Sequence, residues 1–217
     1  MDLKIETFPF VAPKTTRFSR IGVPSDQIKE VVVALHGYGQ LAPVFAKSLL
    51  PLATEERLIV CPEALSRFYT SHRHRVVGAT WMTYEEREFE IMDYVLYLDD
   101  LIQGILEDVP ADVVITVLGF SQGCPTASRW IGNDGVAPDR IILWGADPAH
   151  DHSDDEWNVL ADVPEIVLVA GSNDKIMTED RLIKAEEALR DHQCSFRTLR
   201  YEGGHDIDKD VLTSLFE

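Results

Sequence analysis

Apolar residues along this chain gather in short runs, and each run ends within two residues of a glycine or proline. Val31-Val32-Val33-Ala34-Leu35, Leu58-Ile59-Val60-Cys61, Val113-Val114-Ile115-Thr116-Val117-Leu118, Arg140–Trp144 and Glu165–Ala170 all have strand length. Uninterrupted apolar runs suit strands covered on both faces, because successive side chains point to opposite sides. Phe196–Tyr201 reads as a further strand and Arg17–Ile21 as a short one. Phe8-Pro9-Phe10-Val11-Ala12-Pro13 has too many prolines for anything but an edge strand.

Segments with helical spacing lie between these runs. One covers residues 42–56, with Pro43 near its start and Pro51 placed to kink or split it. A long helix is predicted over Tyr84–Leu106. Phe89, Met92, Val95, Leu96, Leu98 and Ile102 form its apolar stripe, and Glu85, Glu86 and Glu88 occupy first turns favoured by the macrodipole. Thr126–Ile131, Glu179–His192 and a short segment from about Asp206 complete the set. Residues 63–84 follow neither period and read as a long loop, a kind of segment that often carries function. Strands alternating with helices predict an α/β fold, a mostly parallel twisted sheet with helices on both faces. Residues 1–217 hold no repeat or linker, which predicts a single domain, and no segment is long enough for a separate cap domain.

The central run leads into Gly119-Phe120-Ser121-Gln122-Gly123, with Pro125 in the first turn of the following helix. Strand, sharp turn and helix form the context in which Gly-x-Ser-x-Gly presents a nucleophilic serine. Side chains at 119 and 123 are expected to collide where strand and helix meet. A serine hydroxyl needs a positioned base, and His205, after the last strand in Gly203-Gly204-His205, is the candidate. Asp174 in Gly171-Ser172-Asn173-Asp174 is the candidate to orient it; Asp147, one strand earlier, is the rival. Serine, aspartate and histidine in this chain order fit the order of a hydrolase triad. The oxyanion of acyl transfer then needs two N–H donors: the backbone of Gln122, and that of Tyr38 in His36-Gly37-Tyr38-Gly39. In the loop, Phe68, Tyr69 and Trp81 are candidates to line an acyl site, and Arg67 or Arg73 to meet a substrate carboxylate. The alternative is a structural loop with Trp81 as a core anchor. His36 itself fits a backbone hydrogen-bonding role.

Charge narrows the partners. Acidic residues number 37 against 20 basic, a net −17, which disfavours nucleic acid and anionic membranes. Such acidity serves solubility, or a high-salt habitat. No apolar run reaches transmembrane length, and Met1–Glu6 lacks a signal-peptide core, so a soluble cytoplasmic protein without stable membrane insertion is expected. Cys61, Cys124 and Cys194 are too few and too scattered for a disulfide framework, and Cys124 is expected to pack behind the serine. His150-Asp151-His152-Ser153-Asp154-Asp155 carries metal-ligand types but reads as a solvated loop opening a helix near Glu156, so neither metal nor cofactor is expected.

Val32–Gly39, the Phe-Ser-Gln-Gly form of the serine turn, Gly171–Asp174 and Gly203–His205 together resemble the α/β-hydrolases of the phospholipase/carboxylesterase group, which includes acyl-protein thioesterases and small bacterial esterases. The resemblance runs from about residue 28 to the C-terminus. It implies Ser121, Asp174 and His205 as triad and Tyr38 and Gln122 as oxyanion donors. Three positions depart from the pattern: Lys175 where Pro often follows the acid, Tyr38 where a small aliphatic residue is usual, and Trp81-Met82-Thr83 where thioesterases often have Trp-Phe-Asp. The expected activity is hydrolysis of a small-molecule carboxylic ester through an acyl-enzyme, with a homodimer as one possible assembly. A thioesterase or lysophospholipase on the same triad is the alternative, and a non-catalytic small-molecule binder the alternative of another class.

Overall fold

Each apolar run becomes a strand of one seven-stranded sheet. The structure is a computed structural model that describes residues 4–217; Met1, Asp2 and Leu3 of the N-terminal reading lie outside it. The strands are β1 (Phe18–Ile21), β2 (Glu30–Leu35), β3 (Arg57–Pro62), β6 (Val114–Phe120), β7 (Arg140–Trp144), β8 (Glu165–Gly171) and β9 (Phe196–Tyr201), with β4 (Ser66–Ser71) and β5 (Val76–Thr80) forming a separate hairpin. The sheet order is β1-β3-β2-β6-β7-β8-β9. Only edge strand β1 runs antiparallel to its neighbour; the others are parallel.

Register explains why the runs are apolar throughout. Val31, Val33, Leu35, Leu58, Val60, Val117, Ile141, Leu143, Ile166 and Leu168 face one core; Val32, Ala34, Ile59, Cys61, Leu118, Ile142, Trp144, Val167 and Val169 face the other. The first core is covered by α2 (Arg87–Leu106), α3 (Gly123–Gly132), α4 (Asp154–Ala161) and α5 (Glu179–Asp191). The second is covered by α1 (Ala42–Ser48) and α6 (Lys209–Ser214). Because β2, β6, β7, β8 and β9 are parallel, the loops leaving their carboxyl ends share one rim, where sites form in such sheets.

Several expectations need correction. Residues 63–84 are not an irregular loop: the β4–β5 hairpin occupies most of them. Its Ser, Arg and Thr side chains and its partial exposure hide the strand period. The helix expected over 42–56 is split, as Pro51 suggested: α1 stops at Ser48 and a single 3₁₀ turn, Leu50–Leu52, follows. Phe8–Pro13 forms no strand. The long helix begins at Arg87, not Tyr84, because Glu86 takes a left-handed conformation (φ 48°) and Thr83 is tied by its N–H and hydroxyl to the Glu90 carboxylate. Its core face is Tyr94, Leu98, Ile102 and Ile105, whereas Phe89, Met92 and Leu96 are exposed. Apolar residues here extend beyond the buried stripe, so periodicity picked Leu98, Ile102 and the half-buried Val95 correctly but added three exposed residues. Among the described residues no helix is long and apolar enough to cross a membrane.

Candidate active site

At the end of β6 the backbone makes the turn that the glycines permit. Ser121 sits at φ 53°, a left-handed conformation that costs a non-glycine residue on the order of 1–2 kcal/mol and clusters at functional sites. A Cβ on Gly119 would come within 2.4 Å of the Gly123 carbonyl oxygen, and one on Gly123 within 2.1 Å of the Leu35 oxygen. Any side chain at either position therefore forces strand and helix apart. The Ser121 N–H donates to the Trp144 carbonyl at 2.9 Å, which fixes the turn to β7.

His205 arrives from the loop after β9. Its Nε2 lies 2.9 Å from Ser121 Oγ and its Nδ1 2.7 Å from Asp174 Oδ2. A carboxylate only accepts, so Nδ1–H donates to Asp174 and Nε2 is left to accept the serine proton. Asp174 is itself held: its Oδ1 accepts the N–H groups of Ile176 at 2.7 Å and Met177 at 3.0 Å, and its side chain is buried. Phe120 packs its ring 5.1 Å from the imidazole. Asp147, the rival acid, pairs with Arg181 instead.

The N–H groups of Tyr38 and Gln122 make no backbone hydrogen bond among the described residues, whereas neighbouring Gly37 N–H donates to Gln40 Oε1 and Gly39 N–H to the Ala79 oxygen. His36 is buried and binds backbone at both nitrogens, with Nδ1 2.8 Å from the Gly37 oxygen and Nε2 accepting from Ala64 N–H at 3.1 Å. Burial lowers its pKa, which keeps the ring neutral and able to accept.

The pocket candidates divide. Phe68 packs 5.0 Å from the Tyr38 ring, and Tyr38 is 62% exposed. Tyr69, on the other side of its strand, packs against His72. Trp81 does not line an open acyl site beside Ser121: it is 1% exposed and its indole N–H donates to the His36 carbonyl at 2.8 Å. Arg67 gives its Nε to an internal carboxylate, while its side chain stays 41% exposed. That carboxylate, shared with Arg17, is the fully buried Glu63, whose Oε2 also accepts the Ala42 N–H. Glu63 and Gly145 were missed in the sequence. Glu63 had no periodic signal; Gly145 was visible only as the glycine after β7, yet a Cβ there would lie 3.0 Å from His205 Cε1. A groove of about 1150 Å³ between residues 7–16 and α2 is lined by none of the three triad candidates.

The other chemical candidates are accounted for by packing. Asp151 bridges Arg129 and Arg87, and the Ser153–Glu156 capping box opens α4. His152 is not solvated: its ring is buried against Trp157. Burial pushes the Cys124 thiol up, and it donates to the Gly119 and Trp144 carbonyls.

A sequence model of the phospholipase/carboxylesterase family matches residues 17–217. No curated protein matches the chain. Among solved structures, acyl-protein thioesterase 2 of Zea mays is 19% identical with a TM-score of 0.67, covering 93% of this chain and 98% of that one. The Bacillus cereus carboxylesterase is 13% identical with a TM-score of 0.66, covering 92% and 91%. At these identities the likeness is one of fold.

Proposed function

The chain belongs to the phospholipase/carboxylesterase family of hydrolases, and on that premise we propose that it cleaves small carboxylic esters through an acyl-enzyme on Ser121. The observation that carries this reading is the continuous hydrogen-bonded line from Ser121 Oγ through His205 to Asp174. His205 Nε2 takes the hydroxyl proton as Oγ attacks the ester carbonyl. The carbonyl oxygen gains the charge and is received by the amides of Tyr38 and Gln122. Collapse of the tetrahedral intermediate breaks the C–O bond to the alcohol, which leaves with the proton from His205. Water, deprotonated by the same nitrogen, then attacks the acyl-enzyme, and the acid departs as Ser121 regains its proton. Asp174 stays ionised throughout, holding the tautomer and stabilising the imidazolium. No step calls for a metal or cofactor. The Tyr38–Phe68 pair supplies an aromatic wall for the substrate beside the oxyanion site.

The test is labelling with a fluorophosphonate probe, with p-nitrophenyl ester hydrolysis and the Ser121→Ala variant alongside. Label on Ser121, ester turnover, and loss of both in a variant with an unchanged melting temperature are expected. Wild-type turnover in Ser121→Ala overturns the assignment, and a folded wild-type protein that takes no label points to a non-catalytic binder. Acyl-CoA assayed beside the ester decides between ester and thioester preference.

A further inference from the structure

The two amides assigned to the oxyanion sit on different elements, one after β2 and one after β6. The β2–β6 ladder ends at the pair Leu35 and Gly119, before either amide, so the sheet alone does not set their separation. A third segment, residues 79–82 at the exit of β5, reaches both.

On the Tyr38 side, Gly39 N–H donates to the Ala79 oxygen at 2.8 Å and Ala79 N–H to the Gln40 oxygen at 3.1 Å. The Trp81 indole N–H donates to the His36 oxygen at 2.8 Å. The contact is close enough to exclude a side chain: a Cβ on Gly78 would fall 2.3 Å from the Gly39 oxygen. On the Ser121 side, the Gln122 carboxamide does the binding. Its Nε2 donates to Thr80 Oγ1 at 2.9 Å and to the Met82 oxygen at 3.1 Å, while its Oε1 accepts Trp81 N–H at 3.2 Å. Only one orientation of the amide sets a donor against the Met82 carbonyl and an acceptor against the Trp81 N–H. Thr80 and Trp81 are both buried. Hydrogen bonds buried in this way are expensive to leave unmade, so the segment holds its geometry.

We infer that residues 79–82, clasped by the Gln122 side chain, form a strut that sets the spacing of the two oxyanion donors. Thr80, Trp81 and the Gln122 carboxamide are therefore positioning residues, distinct from the Gln122 amide that meets substrate. The inference rests on the acyl-enzyme reading above. Its signature is loss of transition-state binding with ground-state binding intact.

Thr80→Val removes the hydroxyl at nearly constant shape, Thr80→Ser retains it, and Gln122→Met removes the carboxamide. For each, kcat and KM are measured on p-nitrophenyl butyrate. Inhibition is measured with an alkyl trifluoromethyl ketone, whose serine adduct carries the oxyanion, and with the matching alcohol, which has no carbonyl. Thr80→Val and Gln122→Met are expected to lower kcat by about 10-fold or more with KM little changed, less than the roughly 10²–10³ for deleting a donor outright. Ketone affinity falls by the same factor, alcohol affinity is unchanged, and Thr80→Ser is restored. Unaltered kcat and ketone affinity in folded Thr80→Val overturns the strut, as does equal weakening of ketone and alcohol, the mark of a packing role. Should Gln122→Met not fold, the Thr80 pair decides alone. Wild-type protein that neither labels nor turns over overturns the strut and the acyl-enzyme reading together; active wild type with indifferent variants overturns the strut only.

Discussion

Gly145 carries no functional group, yet it borders the proposed base on its open side. It sits at φ 74°, and a Cβ there would meet His205 Cε1 at 3.0 Å, Nδ1 at 3.1 Å and Asp174 Oδ2 at 3.4 Å. Gly145→Ala is therefore expected to push the imidazole off the Ser121–Asp174 line. The expected result is about a 10-fold fall in kcat, with the left-handed backbone costing about 1 kcal/mol of stability. Kinetics and a denaturant melt check it; an unchanged kcat would show that the ring has room. At this scale the sequence was informative where chemistry is written in residue type and chain order. Ser121, Asp174 and His205 were singled out that way, and His205 lies within hydrogen-bonding distance of the other two. Trp81 and Arg67 stayed between a pocket role and a structural one in the sequence for a physical reason. A tryptophan or arginine in a loop has the same identity whether it faces substrate or an internal partner, and only the buried carbonyl of His36 and the buried Glu63 decide the matter.

Among the elements, the strands and most helices were legible because burial on two faces or one imposes a period on the sequence. The β4–β5 hairpin was not, since a two-stranded ribbon standing off the sheet buries too little to impose one. What anchors its root is Glu63, which joins the approach to β1, α1 and β4 through Arg17, the Ala42 N–H and Arg67. Burial raises the Glu63 pKa, but the hydrogen bonds and charges of the two arginines outweigh it and hold the carboxyl below its usual range. Glu63→Gln is expected to cost about 2–3 kcal/mol, below the usual 3–5 for a broken buried pair because both guanidiniums reach solvent. A carboxyl depressed in the folded state stabilises above its unfolded pKa of about 4.3, and that contribution fades as pH falls through the folded value. Melting temperatures of wild type and Glu63→Gln should thus differ most near neutrality and converge below about pH 4. A gap that persists in acid would assign the loss to packing rather than ionisation.

Across the whole molecule, charge sets the response to solvent. A net −17 on 217 residues means that the compact state repels itself, and added salt screens that repulsion within a Debye length of about 10 Å at 0.1 M. Exposed ion pairs such as Lys29–Glu56 weaken with salt as well, but each is worth about 1 kcal/mol or less. The melting temperature at neutral pH is therefore expected to rise between low and moderate sodium chloride; a fall would mean that the ion pairs outweigh the net repulsion. Fold class was readable at this scale because alternating strands and helices leave few architectures. Substrate preference was not, because it resides in loop side chains whose neighbours come from distant parts of the chain.

The hairpin that begins at Glu63 and ends at the Gln122 clasp divides the chain's freedom to diverge. Its far end, His72 to Arg75, is exposed and joins no strand, so length and identity there are free to change under selection. Its near end, Gly78 to Met82, is bound to both elements proposed to carry the oxyanion donors and is not. Insertions and substitutions in descendant proteins are therefore expected to collect at the tip codons and to spare the codons for residues 78–82.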